Sequence, residues 1–166
     1  MKKYVIFDFD DTLVSTDAKV IVKGPGGTKE LTAGEFAKYE PHPEDKFDVS
    51  QFEKTLINPK PIQKYTNFLR RLHGRTKGIN LMILTARGNA GPVAKYLRSI
   101  GITSGVKLVA LGNANPQAKA NYIEKLIANG AEYITFYDDS EKNIAAVKVL
   151  KSKYPNVTLN AQLVKP

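Results

Sequence analysis

Four short stretches of the chain are dominated by apolar residues, and segments with helical spacing lie between them. Tyr4 to Phe7 is an unbroken apolar run, and Ile79 to Leu84, Val106 to Leu111 and Tyr133 to Tyr137 are nearly so. Such runs predict strands covered on both faces, as in the middle of a parallel sheet. Ile62, Tyr65, Leu69 and Leu72, with Phe68 beside them, fall at helical spacing after Pro59 and Pro61. Gly91 and Pro92 open a second helix carrying Val93, Leu97 and Ile100, which Gly101 ends. Asn115 and Pro116 cap and start a third, with Tyr122, Ile123, Leu126 and Ile127 on its core side, closed by Asn129 and Gly130. Ser140 caps a fourth that carries Ile144, Val147 and Leu150, and Val157 to Leu163 is a last, weaker strand. Strands alternating with helices predict an α/β fold, a doubly wound and mainly parallel sheet with helices on both faces. A single domain over 1–166 is expected.

Residues 15–58 interrupt that alternation. Ala18 to Leu31 reads as a β-hairpin turning at Gly24–Gly27, expected to project over the strand ends and shield them. Thr32 and Glu35 form a capping box for a short helix through about Tyr39. Residues 40–58 are polar and without period, and predict a loop with one helical turn.

Composition adds exclusions. The chain of 166 residues has no cysteine, which removes disulfides, thiolate metal sites and a cysteine nucleophile. His42 and His73 are too far apart to make a metal-spaced pair. No run approaches the ~18 apolar residues of a membrane span. The first apolar run meets Asp8 too early for a signal peptide, so a cytoplasmic protein is expected. The formal charge of +9 is compatible with a polyanionic partner such as nucleic acid, and equally with a generally cationic surface. The cations Lys64, Arg70, Arg71, Arg75 and Lys77 fit either a nucleic-acid patch or a solvated helix end.

Candidate chemistry collects where the strands stop. Asp8 and Asp10 are two residues apart, so in extended chain both carboxylates face one side at the C-terminal end of the first strand. Ligands of open α/β sheets bind at that end. The plainer reading makes Asp8, Asp10 and Asp11 turn formers and a helix cap. Thr85 follows the second strand, Asp138 and Asp139 follow the fourth, and Lys119 starts the intervening helix on the same sheet edge. Each is weak alone, and together they form a constellation.

With those residues, the chain resembles the haloacid dehalogenase superfamily of phosphatases. Asp8, Asp10, Thr12 and Leu13 match its D-x-D-x-T-L motif, and Thr85 in LTAR its second motif. Lys119, with Lys125 as fallback, matches the third, and Asp138 and Asp139 in DDSEKN the acidic fourth. The wording of LTAR and DDSxxN is similar to small phage-type members and to the phosphatase domain of phage polynucleotide kinase. The resemblance implies phosphomonoester hydrolysis through an aspartyl-phosphate on Asp8, ionised at the ordinary carboxylate pKa of ~3.9. Asp10 would serve as acid and then base, with Thr85 and Lys119 on the transferring phosphoryl oxygens. It implies Mg²⁺ held by Asp8, the Asp10 carbonyl and the last acidic pair, with Asp139 in the ligand slot and Asp138 as the other candidate. Asn143 stands where the family's final acid falls. Thr12 is expected to hold the aspartate loop, and Thr12, Ala86 and Arg87 to contribute to substrate binding; a structural ion pair is the other reading of Arg87.

Between Thr85 and Lys119 there is no room for a cap domain, and residues 15–58 allow at most a minimal one. An open site and the +9 charge point to nucleic-acid 3′-phosphate ends, with a nucleotide or other small phosphomonoester as the alternative. A receiver-like signalling module is the rival from another class. It requires an acceptor aspartate after a middle strand, where this chain has Thr85 or Gly112-Asn113. A non-catalytic phosphate-binding module is the remaining alternative.

Overall fold

In the computed structural model, residues 2–75 and 77–165 are described, with Arg75 by its backbone only. The chain begins with β1 (Lys2–Phe7) and the short β2 (Val14–Ser15). The insert follows as β3 (Lys19–Gly24), β4 (Gly27–Thr32), α1 (Ala33–Lys38) and β5 (Lys46–Asp48), and β6 (Lys60–Pro61) closes it. The main alternation then runs α2 (Gln63–Arg75), β7 (Ile79–Thr85), α3 (Gly91–Ser99), β8 (Val106–Ala110), α4 (Pro116–Ala128), β9 (Ala131–Asp138), α5 (Glu141–Lys153) and β10 (Thr158–Leu163).

Five strands form the central sheet in the order β10-β9-β1-β7-β8, and every pairing is parallel. The arrangement is a Rossmann-like doubly wound α/β fold. The chain proceeds from β1 outward to β7 and β8, then returns to lay β9 and β10 on the other side of β1. Strand order therefore reverses at β1, and a crevice forms above the carboxyl ends of β1 and β9.

Side-chain alternation explains the continuous apolar runs. Ile6, Met82, Leu84, Ile134 and Phe136 pack under α4 and α5 against Ile123, Ile144 and Val147. Phe7, Leu81 and Ile83 point the other way, against Leu69 of α2 and Val93 and Leu97 of α3. Burying each such side chain contributes about 1.5–3 kcal/mol, so both helical layers are held by the same strands. Asp8 continues the parity of Ile6 and emerges on the α4 side, while Phe9 stays in the α2–α3 core.

The predicted caps form. Thr32 and Glu35 make the reciprocal capping box, Asn115 accepts from the Gln117 amide, and Ser140 accepts from the Asn143 amide. The segment 40–58 departs from expectation. It contains the helical turn, a 3₁₀ turn at Ser50–Phe52, but also β5, which pairs antiparallel with β3 and widens the hairpin to three strands. Antiparallel pairing of β2 with β6 brings the two ends of the insert together. Ala18, Val20, Val22 and Phe52 form the insert's own small core, with Phe36 and Tyr39 packed against it.

Candidate active site

The floor is built from the ends of β1, β7 and β9. Beyond Phe7 the Asp8 amide still donates to the Tyr137 carbonyl, at 2.9 Å, so Asp8 is fixed by sheet geometry. The chain then turns sharply. The Thr12, Leu13 and Val14 amides converge on the Phe9 carbonyl, and Asp11 adopts a left-handed φ of 61°. This turn carries Asp10 to the rim and Thr12 beneath Asp8, where the Thr12 hydroxyl donates to Asp8 Oδ2 at 3.3 Å. Thr12 is fully buried, so its link to the cavity runs through Asp8. It holds the aspartate loop rather than forming part of the substrate-facing wall.

Lys119 rises from the first turn of α4 into the same point. Its ammonium donates to Asp8 Oδ1 at 2.7 Å and to Asp138 Oδ2 at 2.8 Å, all three groups being buried. Lys125, the alternative, is exposed. Burial by itself lowers a lysine's pKa; here the two carboxylates outweigh it and hold the ammonium above its ordinary value.

Asp138 and Asp139 have different surroundings. Asp138 is completely buried and has both oxygens committed, accepting from the Ser140 amide, Lys119 and Asn143 Nδ2. Asn143 thus supplies a donor to Asp138. Asp139 is half-buried and lines the cavity. Carboxylate oxygens of Asp8, Asp138 and Asp139 lie within 4.8 Å of one another. Burial, then repulsion from Asp138, raises Asp8 well above the carboxylate range despite Lys119. That corrects the expectation of an ordinary Asp8 pKa. Burial also raises Asp139, and with Asp139 and Asp10 nearby it lifts Asp11 to about 6. Three carboxylates against one ammonium leave an excess of negative charge, and an all-oxygen donor set of this kind fits a hard divalent cation such as Mg²⁺.

Thr85 and Ala86 line the cavity, and the Thr85 hydroxyl accepts from the Arg87 amide at 3.1 Å. Arg87 is 5% exposed and forms a fork on Asp10, with Nε to Oδ2 and Nη2 to Oδ1 both at 2.8 Å. Its Nη1 donates to the Phe52 carbonyl at 2.7 Å, so one guanidinium ties Asp10 to the insert. This is the ion-pair reading of Arg87. Arg87→Lys keeps the charge and loses the fork; it should cost about 2 kcal/mol and lower Tm by about 6 °C. An unchanged thermal melt would show the tie to be idle.

The floor opens into a cavity of about 550 Å³. Its far wall comes from α1 and the chain around β5, with Phe36, Tyr39, Phe47, Val49 and Phe52. The hairpin covers the strand ends only through Val20 at its base; its turn, Gly24 to Gly27, is not part of this wall. Sequence reasoning missed the aromatic wall, because Phe47 stands alone between Lys46 and Asp48 and shows no period. It also missed Lys142, which lines the cavity and joins α5 to the insert through Glu40 at 2.8 Å. His42 and His73 stand outside the cavity lining, as do Lys64, Arg70, Arg71 and Lys77 of the α2 segment; the side chain of Arg75 lies outside the described residues. Among the described residues no helix is long and apolar enough to cross a membrane. No family model, curated protein or solved structure matches the chain.

Proposed function

We propose that the protein is a Mg²⁺-dependent phosphomonoester hydrolase of the haloacid dehalogenase type. The observation that carries the reading is the convergence of Asp8, Asp138, Asp139, Lys119 and Thr85 at the strand-order reversal, under a cavity open to ligand.

In this reading Asp8 is ionised, because a bound divalent cation would offset the burial and the Asp138 repulsion that raise it. Its carboxylate oxygen attacks phosphorus as the ester P–O bond breaks, leaving an aspartyl-phosphate and the free alcohol. Asp10 supplies the proton to the departing oxygen. It then takes one from the water that attacks phosphorus and releases inorganic phosphate and Asp8. Asp10 shares both oxygens with Arg87, so holding that proton requires giving up one arm of the fork. Lys119 balances charge on Asp8 and on the phosphoryl oxygens, and the Thr85 hydroxyl, which lines the same cavity, donates to them. Asp8, the Asp10 carbonyl and Asp139 would hold Mg²⁺, with Asp138 behind them anchoring Lys119 and Asn143. The ion supplies Lewis acidity and offsets repulsion between the carboxylates and the phosphate.

The test is phosphate release from para-nitrophenyl phosphate, mononucleotides and oligonucleotides phosphorylated at the 3′ or 5′ end. Turnover is expected with Mg²⁺, and EDTA is expected to lower it at least about 100-fold. Turnover indifferent to EDTA, or none on any ester, would reject the reading.

A further inference from the structure

The cavity has a second half that phosphoryl transfer does not use. Phe47 is 40% exposed and Val49 38%, and both lie on its wall. Phe47 is not a loose side chain. Its ring meets Phe36 edge-on at 5.4 Å and Tyr39 at 6.2 Å, and the Tyr39 hydroxyl is anchored on Asp45 at 2.8 Å. A preformed aromatic face in the same cavity as the polar floor suits a ligand that carries both a planar ring and a phosphate.

Charge narrows the class further. Among the described residues the cations on the cavity wall are Arg87, Lys119 and Lys142. Each already has a carboxylate partner, respectively Asp10, the Asp8–Asp138 pair and Glu40. Arg87 and Lys119 are held by buried carboxylates, which leaves the exposed Lys142–Glu40 pair as the one cation a ligand could draw away, too little for a run of phosphates. Residues 15–58, which build the wall, carry eight carboxylates and six lysines, so the +9 of the whole chain resides elsewhere. A polynucleotide track needs a cationic groove as well as stacking faces, and this wall supplies only the second.

Resting on the phosphatase reading above, we propose that the site takes nucleoside monophosphates, the uncharged nucleoside being the leaving group and Phe47 the face on which its base stacks. The insert then selects the alcohol while the sheet edge handles the phosphate.

The experiment compares kcat/KM for adenosine 5′- or 3′-monophosphate, whichever is faster, with that for ribose 5-phosphate. The wild-type ratio should exceed about ten, and Phe47→Ala should lower that ratio about ten-fold, the usual worth of one stacked base. Phe47→Leu keeps apolar volume without the ring and covers the case in which the alanine variant fails to fold; it should lower the ratio in the same direction. A wild-type ratio near one, a ratio unmoved in the folded variants, or a clear preference for a 3′-phosphorylated oligonucleotide would overturn the proposal. If no ester is hydrolysed, the hydrolase reading falls separately. Calorimetric titration of adenosine monophosphate with Mg²⁺ into wild type then decides the wall. Binding weakened about ten-fold by Phe47→Ala or Phe47→Leu supports it, and absent or unchanged binding rejects it.

Discussion

Asp8→Asn is expected to lower phosphate release by about 10⁴-fold or more while leaving the protein folded and no less stable in EDTA. On the proposed mechanism, loss of Asp8 removes the covalent route altogether, because an amide oxygen does not form the acyl-phosphate. The stability half follows from the site's charge. Asp8, Asp138 and Asp139 crowd within 4.8 Å around one buried ammonium. Asparagine adds no charge to that crowd; its Oδ1 keeps the bond from Lys119, and its Nδ2, in the place of Oδ2, donates to the Thr12 hydroxyl. Measured together, phosphate release and the thermal melt in EDTA separate chemistry from folding. Full activity in the variant would remove Asp8 as nucleophile; a large drop in Tm would show that Asp8 serves mainly as a structural partner of Lys119.

That relation between function and strain bears on what could be read from the chain. The site was legible where local geometry determines it. The caps Asn115 and Ser140 follow from short-range stereochemistry, and the parallel sheet gathers them with Asp8 at one edge; Asp10 reaches the same cavity through the turn at Phe9 rather than along an extended strand. The choice of Lys119 over Lys125 was also present in the pattern. Lys119, Ile123 and Ile127 recur every four residues on the buried stripe of α4, and Lys125 falls off it. Three features were not legible. β5 is three exposed residues, and it becomes a strand only because the β3 edge offers unpaired backbone groups. The Arg87 fork joins residues 77 apart in sequence, and no local preference pairs them. The cavity's aromatic wall exists because α1 and β5 meet in space, where Phe36 and Phe47 touch.

Lys119→Met should be the most destabilising single change in the site. Methionine fills a similar length, so the loss is electrostatic: Asp8 and Asp138 stay buried with no cation between them. Breaking a buried ion pair from one side costs about 3–5 kcal/mol, and with two carboxylates stranded the upper end is expected. For a chain of this size that is a Tm lower by about 10 °C or more. The sign of its pH dependence is fixed by the same cause. Without Lys119 the stranded carboxylates bind protons more tightly folded than unfolded, so the variant recovers stability as pH falls and loses it as pH rises. On the proposed mechanism Mg²⁺ should stabilise the variant by entering these carboxylates, yet turnover should stay at least about 100-fold down, because in that mechanism Lys119 is the ammonium on the phosphoryl oxygens. The double variant Lys119→Met with Asp138→Asn tests the coupling directly. Removing one of the two stranded carboxylates should return much of the lost stability, making the pair far less harmful than the sum of its parts. Additive losses would mean that Lys119 acts through packing alone, and the buried triad would then be incidental to the site.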